Sequence, residues 1–143
     1  MLSGVKVSEQ CVNEFNKLKV KHMHKYIIYR IENSEEIIVD ILEQDSELQS
    51  LEDIIINIRN CLKNNECRYI IADMPIITPE GVVRNKIYFI FWSPDYARPK
   101  EKILYASSKE SLVRKVKGIF KSLEIACCLD EFEEELKTII LNT

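Results

Sequence analysis

Glycine is scarce in this chain, with only Gly4, Gly81 and Gly118 among 143 residues. A phosphate-cradling turn needs several glycines at fixed spacing, and neither a dinucleotide fingerprint nor a P-loop pattern is present. Histidine is scarcer still. His22 and His24 stand one residue apart in a polar connector, too few to hold a metal without further ligands. The five cysteines (Cys11, Cys61, Cys67, Cys127 and Cys128) lack metal-ligand spacing, and their odd number suits reduced, mostly buried thiols. No apolar run approaches the roughly 20 residues of a membrane span. The start, Met1 to Lys6, lacks a signal-peptide core, so residence in the cytoplasm is expected. A net charge of −3 gives no excess of bases for general nucleic-acid binding.

What is present suits one folded domain spanning residues 1–143, since 46% hydrophobic and 30% charged residues can form a core and a solvated surface. Ser8 opens a first helix in which Cys11, Val12, Phe15 and Leu18 recur at helical spacing. Lys19 to Lys25 form a basic connector carrying the two histidines, which are expected to be solvated. Tyr26–Ile31 and Glu36–Leu42 read as a strand pair across the turn at 32–35. An acidic loop, Glu43 to Ser50, precedes a second helix with Ile54, Ile55, Ile58 and Leu62 on one face, closed by Asn64 and Asn65. Ser50 and Asp53 resemble a capping box at its start.

Cys67–Asp73 reads as a third strand. Thr78-Pro79-Glu80-Gly81 reads as a hairpin tip, leading into a fourth strand at Asn85–Trp92. Ile87 to Trp92 is apolar at every position, so that strand should be covered on both faces. Lys100 to Lys121 has a helical pattern that Ser107 and Ser108 could bend by bonding back to carbonyls one turn earlier. Leu123–Cys128 reads as a fifth strand, and Asp130 as the cap of a last helix bearing Phe132, Leu136, Ile139 and Ile140. The fold class is therefore mixed α/β (α+β), with a central mixed sheet of about five strands between about four helices, one of them long and kinked.

No catalytic constellation emerges. The acids at 35–36, 43–45 and 133–135 read as solvated faces, and Ser107-Ser108-Lys109 lacks a third group to orient a nucleophile. Cys67 is the distant alternative as a reactive thiol. Catalytic, cofactor and metal residues are accordingly expected to be none, and the chain is not expected to be an enzyme.

Specific strings then point to a family. Ser3-Gly4-Val5-Lys6-Val7-Ser8, Glu14-Phe15-Asn16-Lys17-Leu18-Lys19, Cys67-Arg68-Tyr69, Phe89-Ile90-Phe91-Trp92-Ser93-Pro94 and Tyr105-Ala106-Ser107-Ser108-Lys109 resemble the actin-depolymerising factor/cofilin family, in order and at compatible distances. The resemblance implies the actin-depolymerising factor homology fold and binding to monomeric and filamentous actin, with the ADP form preferred. It also implies filament severing and depolymerisation, by a monomeric protein of the cytoplasm and cytoskeleton, with the nucleus open as a second location. It assigns the monomer contact to Ser3, Gly4, Val5, Lys100, Lys102, Ile103 and Arg114. Val113 departs from the pattern, standing where the family often has a base. The filament contact falls to Arg84 and Lys86, while Glu133-Glu134-Glu135 replace bases common in the family's last helix. Ser3 matches the regulatory phosphorylation site of relatives. A rival reading gives Lys100, Lys102, Arg114 and Lys115 to phosphoinositide headgroups.

Overall fold

The computed structural model describes residues 4–43, 47 and 50–142. Ser3 therefore lies outside the described residues, as does most of the acidic loop after Glu43. In chain order the elements are β1 (Lys6–Val7), α1 (Glu9–Lys19), β2 (Tyr26–Glu32), β3 (Glu36–Leu42), α2 (Leu51–Arg59), β4 (Arg68–Ile77), β5 (Val83–Trp92), α3 (Pro99–Val113), β6 (Lys121–Ile125) and α4 (Phe132–Leu141). The strands form one sheet in the order β1-β3-β2-β4-β5-β6. Its outer pairs, β1 with β3 and β5 with β6, are parallel, and the inner pairs are antiparallel.

The side-chain period of two splits the central strands between two cores. Tyr88, Ile90 and Trp92 of β5 face α2 and α4, burying Ile54, Ile58, Phe132 and Leu136. Phe89 and Phe91 face α1 and α3, burying Phe15, Leu18, Tyr105 and Leu112. The double covering expected of this strand is what the fold shows, and it sets the two helix layers on opposite sides of the sheet.

Several local signals act as expected. The Ser50 hydroxyl accepts from the Asp53 amide at 3.0 Å, capping α2. Ser107 and Ser108 both donate to the Leu104 carbonyl, at 3.1 and 2.7 Å. Gly81 takes φ +83 at the hairpin tip, where its amide donates to Thr78 O. Ser8 precedes α1, but its hydroxyl lies 3.2 Å from Cys11 Sγ and caps no amide.

Other expectations are corrected. The sheet has six strands, because the two-residue β1 joins β3. The helix expected to run to Lys121 stops at Val113, and β6 begins at Lys121 instead of Leu123. Val116 and Ile119 mimic helical spacing while covering the core from the irregular segment between α3 and β6. Gly118 takes φ +98 in that segment, and the Lys19 side chain lies across it to donate to Lys117 O at 2.8 Å. Helix α2 ends at Arg59, not Asn64. Asn64 Oδ1 accepts from the Leu129 amide at 2.8 Å, tying that turn to the entry of α4. Asp130 lies in a 3-10 turn (Leu129–Glu131), and Glu131 is the residue preceding α4.

The polar connector is also more ordered than its composition suggested. His24 is buried, with Nε2 3.3 Å from Glu14 Oε1 and Nδ1 3.3 Å from the Glu43 carbonyl oxygen. Glu43 is buried too, and its Oε2 accepts from the Lys25 amide at 2.7 Å. His22 does point outward, 3.7 Å from Asp73.

Candidate functional site

Helix α3 is bolted to the sheet along one line. Tyr105, Ser108 and Leu112 are its buried residues. The Tyr105 hydroxyl accepts from the Ile31 amide at 2.9 Å, and Tyr69 donates to the Tyr105 carbonyl. At the first turn, Glu101 accepts from the Cys67 amide at 3.0 Å. The Tyr-Ala-Ser-Ser-Lys string is thus largely an anchoring device that fixes the helix's rotation.

That rotation decides what faces outward. At about 100° per residue, Ile103 falls opposite the buried line, Lys100 about 60° to one side of it and Lys102 about 100° to the other. Ile103 is 66% exposed, so a large apolar side chain stands in solvent between two cations. Lys100 is exposed, and neither lysine makes an ion pair among the described residues. Lys102 donates to the Asp95 carbonyl at 3.2 Å, holding the preceding turn beside the helix. Arg114 is exposed and shares the outward side. It stands fourteen residues from Lys100, about 21 Å along the axis, so it belongs to the far end of the same face. A groove of about 690 Å³ runs beside Ile103 between α3 and the β2–β3 turn, with Asn33, Ser34, Arg98 and Lys100 on its walls.

The N-terminal assignments divide. Gly4 is exposed at φ +78. Val5 is only 6% exposed and packs with Tyr105 and Leu112 in the α1/α3 core, so it seats the N-terminus against α3 instead of offering a side chain outward. Sequence reasoning missed Tyr96, which is 68% exposed in the turn that Lys102 holds. Its place beside Asp95, just ahead of a Pro-initiated helix, was the available signal.

The second assigned surface lies on the other side of the sheet. Arg84 and Lys86 share the face of β5 that carries Tyr88, two strand steps beyond the α2/α4 core. Arg84 is exposed, and Lys86 places its Nζ 4.1 Å from the centroid of the Phe120 ring. In α4, Lys137 is paired with Glu52 at 2.7 Å, and Glu133 with Arg59 at 3.5 Å. Glu134 and Glu135 remain exposed, so that helix presents acid where a basic contact was expected to be weakened.

Cys67 and Cys127 are poorly placed to act as nucleophiles. Burial and the Glu101 charge push the Cys67 thiol up to about 11, and burial with Glu135 does the same for Cys127. Both side chains are buried, so neither presents a thiolate near neutral pH. Among the described residues no cluster of His, Cys, Asp and Glu is arranged to hold a metal, and no helix is long and apolar enough to cross a membrane.

A doubly covered mixed sheet, a helix pinned through Tyr105 and an outward Lys-Ile-Lys face coincide with a family match over residues 4–138: the chain belongs to the cofilin/tropomyosin-type actin-binding proteins. Within that family it is similar to cofilin/actin-depolymerizing factor homolog 2 of Plasmodium falciparum, 76% identical over 143 residues and 100% of both chains. The crystal structure of Plasmodium berghei actin depolymerization factor 2 superposes with a TM-score of 0.97 at 71% identity, again covering 100% of both chains. More distantly, Streptomyces griseoflavus cofilin matches at 30% identity and a TM-score of 0.79, covering 96% of this chain and 95% of that one.

Proposed function

We propose that this protein binds actin monomers through Gly4 and the outward face of α3, and filaments through the β4–β5 hairpin, preferring ADP-loaded subunits and promoting severing and depolymerisation in the cytoplasm. The observation that carries the reading is Ile103, two-thirds exposed on a rigidly anchored helix and flanked by Lys100 and Lys102. An apolar centre with a charged rim is the composition of a protein contact. The chemistry is binding alone. A ligand that grips two subunits in one filament geometry favours that geometry by its differential affinity for the two states.

Replacing both cations, Lys100→Ala with Lys102→Ala, should weaken monomer binding by about 2–4 kcal/mol through lost charge-assisted contacts. The loss should shrink as ionic strength rises. A monomer titration giving wild-type affinity would remove the assignment. The family resemblance assigns Ser3 to the same contact. Ser3→Glu places negative charge there, as a phosphate would, and should weaken monomer binding; wild-type affinity would rule out the switch.

A further inference from the structure

The filament reading leaves a charge problem, because α4 is acidic and its Lys137 is already paired with Glu52. The sheet edge beside the hairpin offers another surface. Phe120 is 42% exposed, although its ring meets Tyr88 edge-on at 5.7 Å and its amide donates to Ile87 O at 2.7 Å. Lys86 lies over the outer part of this arrangement, and Arg84 follows one strand step on along the same face. Lys121, opposite Tyr88 in the β5–β6 register, adds a third cation. None of Arg84, Lys86 and Lys121 makes an ion pair among the described residues. An aromatic ring fixed by the sheet thus holds one cation in place, with two more at its margins.

We propose that Phe120, with Lys86 stacked on it and Arg84 beside it, takes the place of the last helix in the filament contact, receiving an apolar patch of an actin subunit that carries a carboxylate. The inference rests on the hairpin reading above and deepens it. Charge decides between the two surfaces. A carboxylate-bearing partner is drawn to the Arg84/Lys86/Lys121 edge and repelled by exposed Glu134 and Glu135. The ring supplies desolvated area at the centre, and stacking keeps Lys86 from the rotamer freedom that an isolated lysine would lose on binding.

The test is filament co-sedimentation of Phe120→Leu, Phe120→Tyr, Lys86→Met, the Phe120→Leu with Lys86→Met double variant, Arg84→Ala with Lys86→Ala, and Glu134→Gln, with monomer titrations and urea midpoints alongside. Phe120→Leu and Lys86→Met should each lose about tenfold in filament affinity. The double variant should lose little more than either, because the two side chains act as one unit. Phe120→Tyr should keep wild-type binding, Glu134→Gln should do the same, and monomer affinity should hold throughout, while Phe120→Leu lowers the urea midpoint modestly because its ring packs on Tyr88. Arg84→Ala with Lys86→Ala losing filament binding while Phe120→Leu keeps it would overturn the role of the ring and leave the hairpin reading standing. Loss in neither would remove the hairpin reading as well. A Phe120→Leu variant that lowers the urea midpoint and both kinds of binding together would assign the ring to folding, and Glu134→Gln matching the loss of Phe120→Leu would return the contact to α4; either result overturns the proposal.

Discussion

Truncating Ile103 to alanine separates binding from folding more cleanly than any other change on α3. The side chain is 66% exposed in the free protein, so the fold gains little from it. Removing three carbon groups at about 0.8 kcal/mol each is worth about 2.4 kcal/mol for full burial. About a third of that burial already exists within the protein, which leaves about 1.6 kcal/mol to be gained on docking. At about 1.4 kcal/mol per tenfold, Ile103→Ala should raise the Kd for actin monomers about 15-fold. The assay is a fluorescence titration of ADP-loaded monomers, paired with a urea melt whose midpoint should match wild type. Wild-type affinity would refute the claim that Ile103 is buried in the complex. A loss of affinity accompanied by an equal loss of stability would show that the side chain supports the helix instead.

Gly118→Ala should lower stability by about 1–2 kcal/mol, because an L-residue is strained at positive φ. Its new methyl would also displace the Lys19 amine, which lies 2.8 Å from the position a Cβ would take; urea unfolding measures the loss, and an unchanged midpoint would mean the segment relaxes freely. Thiol labelling gives the pH dependence. With Cys67 near 11 and buried, iodoacetamide at pH 8 should leave it unmodified in the native protein, and labelling should rise steeply as pH approaches that value. Peptide mass spectrometry showing rapid Cys67 labelling at pH 8 would contradict the protonated, enclosed thiol.

The sequence read well wherever one period dominated. β5 showed its double burial through unbroken apolar character from Ile87 to Trp92, and α2 its amphipathic face and its Ser50 cap. Periodicity misled after Val113, because Val116 and Ile119 sit at helical spacing yet reach the core from an irregular segment between α3 and β6. β1 escaped notice because two residues carry no alternation that a period could reveal. His24 and Glu43 looked like solvent groups by composition, and only the fold brings Glu14 within hydrogen-bond distance of His24 and the Lys25 amide within reach of one Glu43 carboxylate oxygen. Lys100, Lys102 and Ile103 were assigned to the contact by position through the family resemblance, and the fold leaves Lys100 and Ile103 exposed. The burial of Val5, the exposure of Tyr96 and the stacking of Lys86 on Phe120 are tertiary facts that no local pattern encodes.

Hydrogen–deuterium exchange on the complex with ADP-loaded actin monomers tests the central claim most directly. The account predicts new protection around Gly4 and along residues 98–107, with α4 exchanging as in the free protein. Protection centred on α4, with the front of α3 unchanged, would contradict it.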